Sequence, residues 1–164
     1  MSVEFEDYSI KVKEAMNEAA LQFLEEASFE IQSAADRNSD FAPRSLKGGW
    51  KHKVDAGKLE AQVGHPKELA LWMELGTGEH ALAGNGRKGY WIYIKGQESS
   101  AGSQSKTYAT LDDAKRAMAI LQSKGLDAHI TNGHKPMRML HKAFTSKKGA
   151  IINRAKQVFG GRMG

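Results

Sequence analysis

The stretch SIKVKEAMNEAALQFLEEASFEIQSAADR, residues 9–37, carries the longest regular pattern of the chain. Its apolar residues recur every three or four positions, which is the spacing of one face of an α-helix. They are Val12, Met16, Ala19, Ala20, Phe23, Ala27, Ile31 and Ala34. Ser9 precedes the pattern as a plausible N-cap. At about 1.5 Å per residue the predicted helix is roughly 40 Å long, so we expect it to be the backbone of the fold.

Shorter segments follow a break that contains Pro43. Residues 50–54 and 58–63 alternate between polar and apolar side chains, and the turn residues 55–57 lie between them, so the pattern predicts a β-hairpin. Residues 68–75, ELALWMEL, are apolar on nearly every side and fit either a short buried helix or a strand. Before the long helix, Val3 and Phe5 alternate with acidic residues and indicate a short edge strand.

The second half of the chain predicts a small strand–helix–strand lobe. Residues 90–94, YWIYI, are typical of a strand, and residues 97–105, QESSAGSQS, of a flexible linker. Thr110 and Asp113 then form a capping-box pattern for a helix that ends at Gly125. Leu126, Ala128 and Ile130 alternate as a further strand.

A last helix is predicted from Pro136 to the Gly160-Gly161 pair. Its apolar positions are Leu140, Ala143, Phe144, Ile151, Ile152, Ala155 and Phe159. The expected fold is therefore α+β, with the long N-terminal and C-terminal helices packed on an antiparallel β-sheet. We expect one domain over residues 1–164, in which residues 96–131 are an inserted linker and lobe.

Composition excludes several classes of site. The 164 residues contain no cysteine, so disulfides, thiolate metal sites and cysteine nucleophiles are absent. The acidic N-terminus does not resemble a signal peptide, and no apolar run approaches the length of a membrane span. We expect a soluble protein made in a reducing cytoplasm, which leaves the cell, if it does, by lysis.

Charge is divided unevenly along the chain, whose net charge is +5. Residues 1–40 hold ten acidic and three basic residues, whereas residues 128–164 hold eight basic and no acidic ones. Such a division suits a nucleic-acid surface, or an acidic face of one copy that meets the basic face of the next copy in a ring. Two solvated faces without a partner fit it equally well.

A glycine run raises the question of nucleotide binding, because Gly84, Gly86 and Gly89 have the G-x-G-x-x-G spacing. A dinucleotide-binding turn requires a buried strand before the glycines and a helix after them. Residues 76–82 contain Gly76, Thr77 and Gly78 and no apolar run, while the following residues 90–94 predict a strand. The pattern therefore favours a surface loop, with Asn85, Arg87 and Lys88 among the glycines, over a nucleotide enzyme.

No catalytic, cofactor-binding or metal-binding residues are predicted. The six histidines do not pair at helical i, i+4 spacing, and no HExxH motif, G-x-S-x-G elbow or P-loop is present. Several aromatic residues lie near basic ones, which is the composition of a single-stranded nucleic-acid platform. These are Trp50, Trp72, Tyr90, Trp91 and Tyr93. Burial in the core is the interpretation we favour for most of them.

The order of these elements resembles the tail-component family of long-tailed bacteriophages, described as tail-completion or neck proteins. A long helix leads to APRSLKGGW at residues 42–50, then to a hairpin, to ALWMELGTG at residues 70–78, and to KPMRMLHKAF at residues 135–144. The most specific part of the resemblance is ELGTG, residues 74–78. The chain departs from the family pattern in lacking Thr-Gly before Leu46, and in having Leu75 for Phe and Leu140 for Pro.

The resemblance implies a structural protein at the head–tail junction of a virion, made in the host cytoplasm. It implies a ring of copies, commonly sixfold, between the head connector and the tail-terminator or tail-tube proteins, with no catalysis and no cofactor. Residues 76–78 and 84–89 would then be a docking loop that is mobile alone and orders against a partner subunit, or touches channel DNA through Arg87 and Lys88. Tail completion, head closure and tail termination stay open, as does the alternative of a nucleic-acid-binding module that uses the basic C-terminal region.

Overall fold

The chain has an α+β fold in the computed structural model, which describes residues 9–95 and 106–160. The helices in this part are α1 (Ser9–Asn38), α2 (Glu68–Leu75), α3 (Leu111–Ser123) and α4 (Met139–Gly160). The strands are β1 (Lys51–Asp55), β2 (Glu60–Gly64), β3 (Tyr90–Ile94), β4 (Thr107–Tyr108) and β5 (Ala128–Thr131). The predicted fold class and both long helices are therefore confirmed.

The elements divide into two compact units. The helical unit comprises Met1–Glu68 and Met139–Gly164, and the inserted unit comprises Leu69–Arg138. The inserted unit starts well before the predicted insertion at residues 96–131. Strand β3 pairs with β4 and β5, and Thr77 and Glu79 donate hydrogen bonds to residues 134 and 132. The predicted strand at Val3 and Phe5, the linker at residues 97–105 and the side chain of Ser9 lie outside the described residues.

In the helical unit, α1 packs against α4 and against the β1–β2 hairpin. The two helices run antiparallel, since Asn38 Nδ2 donates to the carbonyl oxygen of Met139 at 2.9 Å and the Phe23 and Phe159 rings meet edge to face near the opposite end. The apolar stripe of α1 is buried or half-buried from Ala19 onward. Val12 and Met16, which the pattern placed in the core, are about half exposed, as are Phe144 and Ile152 of α4.

Acidic residues of α1 form ion pairs with basic residues of α4 in the same chain. Lys147 Nζ lies 3.6 Å from Glu30 Oε2, and Arg154 Nε lies 3.4 Å from Glu26 Oε2. Exposed pairs of this kind are worth about 0 to 1 kcal/mol each, so they orient α4 on α1 more than they stabilise the unit. The divided charge of the sequence suggests contacts with nucleic acid or with another copy, and not ion pairs within one chain.

The hairpin has the predicted position and is tied to α1 by His52. All five residues of β1 pair with β2 in an antiparallel register from Lys51–Gly64 to Asp55–Glu60. The His52 ring nitrogens contact Gln32 Oε1 at 2.5 Å and Glu25 Oε1 at 2.9 Å, both on α1. This histidine is therefore a structural link between strand and helix.

A buried hydroxyl joins the ends of the helices to the hairpin. Ser39, which is fully buried, donates from Oγ to the carbonyl oxygen of Ala35 at 2.8 Å and accepts from Trp50 Nε1 at 2.9 Å. Met139 Sδ lies 3.3 Å from the same oxygen. Trp50 is buried as predicted, and its only side-chain polar group has its partner in Ser39.

The inserted unit is a three-stranded antiparallel sheet in the order β4-β3-β5, with α3 packed on it. The predicted cap is confirmed, because the Asp113 N–H donates to Thr110 Oγ1 at 3.2 Å. Gly125 ends α3 with a φ of 78°, as a C-terminal glycine does. Strand β4 has only two residues and was not predicted.

The structure decides the type of one element and the start of another. Residues 68–75 form a helix, which settles the choice that periodicity left open. The last helix begins at Met139 and not at Pro136, so that prediction was wrong by three residues. The Met137 N–H donates to the carbonyl oxygen of Met73 at 2.7 Å, and Arg138 has a φ of 55°, so the chain before Met139 is not helical.

The Ser39 hydroxyl gives a direct test of this packing. We expect Ser39→Ala to lower the free energy of unfolding by about 1 to 3 kcal/mol, because the indole N–H of Trp50 is left buried without an acceptor. The control is Ser146→Ala, which removes an α4 hydroxyl that donates to the carbonyl oxygen of Ala143 and is expected to change stability by less than about 0.5 kcal/mol. Urea denaturation measures both, and equal effects would contradict this account.

Candidate docking surface

The loop after α2, residues 76–89, is fastened to residues 132–134. The Thr77 N–H donates to the carbonyl oxygen of His134 at 2.9 Å, and the His134 N–H donates back to Thr77 Oγ1 at 2.9 Å. The Glu79 N–H donates to the carbonyl oxygen of Asn132 at 2.9 Å. The loop therefore has backbone partners more than fifty residues away in the sequence.

Two of the glycines allow close contact between backbones. A Cβ atom at Gly86 would collide with the carbonyl oxygen of Gly78, and one at Gly78 would collide with the carbonyl oxygen of Asn132. Gly78 also has a φ of 60°, which disfavours any side chain. The glycine run thus packs the loop against the rest of the inserted unit, and β3 rather than a helix follows it, as predicted.

The exposed carboxylate of Glu79 connects several parts of the loop. Its Oε1 accepts from the Gly89 N–H at 3.0 Å, and its Oε2 accepts from Asn132 Nδ2 at 3.1 Å. The Gly89 hydrogen bond first, then the Asn132 bond and the nearby Lys88 charge, keep the pKa of Glu79 below its usual value. One carboxylate therefore connects both ends of the loop to the turn after β5.

Arg87 lies on the sheet rather than projecting from a mobile tip. Its guanidinium carbon is 4.8 Å from the centre of the Trp91 ring, and its Nε and Nη2 donate to Thr107 Oγ1 at 2.8 and 2.6 Å. Gly84, Asn85 and Lys88 are exposed. The loop has these contacts within a single chain, whereas its mobility and its docking to a partner stay predictions.

Beside this loop, α2 exposes a group of large apolar side chains that we call the α2 patch. Its members are Leu71, Trp72, Leu75 and Leu82, each 45 to 53 % exposed. The Leu82 N–H donates to the carbonyl oxygen of Leu75 at 3.0 Å, which joins the loop member to the helix. Ala70 and Met73, on the other side of α2, are buried. Exposed apolar side chains gathered in this way mark interaction surfaces.

Sequence reasoning missed this patch because it treated an all-apolar segment as wholly buried. A surface helix buries one side, so a helix that is apolar on every side must expose apolar residues on the other side. The same reason makes the core interpretation wrong for Trp72, which is 48 % exposed. It is also wrong for Tyr93 on β3, which is 44 % exposed, although it holds for Trp50.

Other kinds of site find little support in residues 9–95 and 106–160. These residues hold no group of three or more His, Asp and Glu side chains that would bind a metal ion. His129 Nε2 lies 2.8 Å from Asp127 Oδ1, and these two side chains form a pair rather than a group of three. No helix in the described ranges is long and apolar enough to cross a bilayer.

Comparison with protein-family models, with curated proteins and with solved structures found no match for this chain. The arrangement of the α2 patch and the loop therefore has to be interpreted from its own geometry.

The contact between Gly86 and Gly78 predicts a stability effect. We expect Gly86→Ala to destabilise the inserted unit by about 1 to 3 kcal/mol, because the added methyl group forces the backbones at Gly86 and Gly78 apart. Asn85→Ala, at the neighbouring exposed position, is the control and is expected to change stability by less than about 0.5 kcal/mol. Denaturation followed by tryptophan fluorescence compares them, and an unaffected Gly86→Ala variant would refute the close contact.

The Glu79 contacts predict a pH dependence. Because the folded-state pKa is below the usual value of 4.5, the stabilisation by Glu79 is present above that pH and is lost as the pH falls through the folded-state pKa. We expect Glu79→Gln to destabilise the protein at pH 7 and to do so less at about pH 3. Asn132→Ala, which removes one donor, should reduce the pH dependence of the wild-type protein. A difference between wild type and Glu79→Gln that is the same at both pH values would contradict the proposed contacts.

Proposed function

We propose that this chain is a structural protein of the phage neck, which joins the head connector to the tail as a ring of copies. The order of sequence motifs that resembles the tail-component family supports the proposal. So does the helical unit, in which two long helices pack together with a hairpin.

The observation that carries the proposal is the coincidence of two independent features. The motif most specific to the family, residues 74–78, begins in the last turn of α2, and Leu75 belongs both to this motif and to the α2 patch. The patch lies beside a loop fixed by Glu79 and Asn132, so its shape is set before a partner arrives. A preformed apolar surface reduces the entropy lost when a partner binds.

In this proposal the α2 patch is covered in the virion by a neighbouring copy, by a head-connector subunit or by a tail-terminator or tail-tube subunit. Copies placed around the channel make head-to-tail contacts, and such contacts close into a ring when the rotation between subunits allows it. The role requires positioning and burial of surface and requires no catalytic group. It places the protein in the virion at the head–tail junction after synthesis in the host cytoplasm.

Deletion of the gene from a phage or prophage that carries it tests the role. We expect electron micrographs of the lysate to show separate DNA-filled heads and finished tails, because the junction is incomplete. Wild-type protein supplied from a plasmid should restore joined particles. Normal infectious particles in the absence of the gene would reject the proposal.

The same assay tests the surface. We expect the double variant Leu71→Lys, Leu75→Lys to fail to restore joined particles, because each lysine places a charge in the interface and its burial is costly. Phe144→Lys is the control, since Phe144 is 49 % exposed on α4, outside the patch. Circular dichroism of the purified variants checks that they fold. Full rescue by the double variant would show that the α2 patch is not the docking surface.

A further inference from the structure

The sheet of the inserted unit has two chemically different faces. Strands β3 and β5 pair antiparallel with Ile92 opposite Ile130 and Tyr93 opposite His129, and directly opposite residues point to the same face. Ile92 and Ala128 are buried on the face that also carries Ile130, and α3 packs against this sheet. The second face carries the alternate residues and is the more exposed one.

This second face, which we call the open face, displays aromatic rings. The Tyr93 and His129 rings stack with their centres 5.4 Å apart and their planes 25° from parallel. Tyr93 is 44 % exposed, and His129 is held by the Asp127 carboxylate at 2.8 Å. Trp91 lies two residues before Tyr93 on the same face, opposite Thr131 on β5 and Thr107 on β4.

Positive charge accompanies these rings. Arg87 stacks on Trp91 and bonds to Thr107, so its guanidinium lies on the open face. Lys95 follows Tyr93 by two positions and is exposed, as is Lys88. Residues 87–95 contain three basic and no acidic residues. The carboxylate of Asp127, on the neighbouring strand, is bound to His129.

We propose that the open face binds single-stranded nucleic acid. Nucleobases stack on the Tyr93–His129 pair, while Arg87 and Lys95 attract the phosphates. Ring faces with flanking cations suit this ligand, because every base offers a π-face and the backbone offers one negative charge per nucleotide. The inference concerns a different surface from the α2 patch and does not depend on the role in the neck.

The sequence suggested two places for nucleic acid: the aromatic residues near basic ones, which include Trp91 and Tyr93, and the basic C-terminal region. The open face belongs to the first of them. In α4, Lys147 and Arg154 already face Glu30 and Glu26 of α1. These acidic neighbours weaken the attraction of α4 for phosphate. The open face combines cations with a stacked pair of rings, Tyr93 and His129.

Fluorescence anisotropy with the full chain and a labelled oligothymidylate of about 15 nucleotides tests the proposal. We expect binding at about 50 mM salt that weakens with a log–log slope of about −1.4, because roughly two phosphates are neutralised. Tyr93→Leu should weaken binding by about tenfold or more, since it removes a stacking ring, whereas Tyr93→Phe should retain it. Thermal denaturation confirms that both variants fold.

Lys95→Ala removes a positive charge from the open face. Lys148→Ala, which removes one from an exposed position on α4, is the matched control. We expect only Lys95→Ala to weaken binding, and a duplex of equal length to bind less tightly than the single strand. Absence of binding at low salt would overturn the proposal and leave the open face to a protein partner or to solvent. Equal binding by Tyr93→Leu and wild type, or a loss confined to Lys148→Ala, would also overturn it.

Discussion

The buried hydroxyl of Ser39 is the contact on which the helical unit depends. It accepts the indole N–H of Trp50, donates to the last turns of α1 and touches the first residue of α4. Three segments distant in sequence therefore meet at one polar atom, which is shielded from water. A hydrogen bond in such surroundings contributes modestly when made but is costly to leave unmade, so it defines where the hairpin and α4 sit on α1.

A comparable arrangement organises the inserted unit. Glu79 replaces the serine as the central acceptor and connects the loop after α2 to Gly89 and to Asn132. The glycines permit the backbones to approach closely enough for these bonds. The same loop carries Leu82, whose N–H donates to the carbonyl oxygen of Leu75, so two members of the α2 patch are joined by a hydrogen bond. Hydrogen bonds of the exposed Glu79 carboxylate thus fasten the loop that lies beside the apolar α2 patch.

The elements that depend on local periodicity could be predicted from the sequence. The helices α1 and α3, the hairpin, β3 and the Thr110 cap all follow from spacing and capping residues within a short window. The missed features depend on distant partners. The start of α4 differs from the prediction because Met137 bonds to Met73, and the bonds from the loop to residues 132–134 join positions more than fifty residues apart. The exposure of Trp72 and Leu71 was missed because the apolar pattern does not reveal which side of α2 is covered.

The α2 patch is the surface that we propose for assembly of the neck. Its most direct test is a photo-crosslinking residue introduced at Leu71 in particles assembled with the full chain, with the same residue at Phe144 as the control. The account predicts that position 71 crosslinks to a neighbouring copy or to a connector, terminator or tube subunit, and that position 144 does so much less. Incorporated protein that gives no crosslink from position 71 would contradict it.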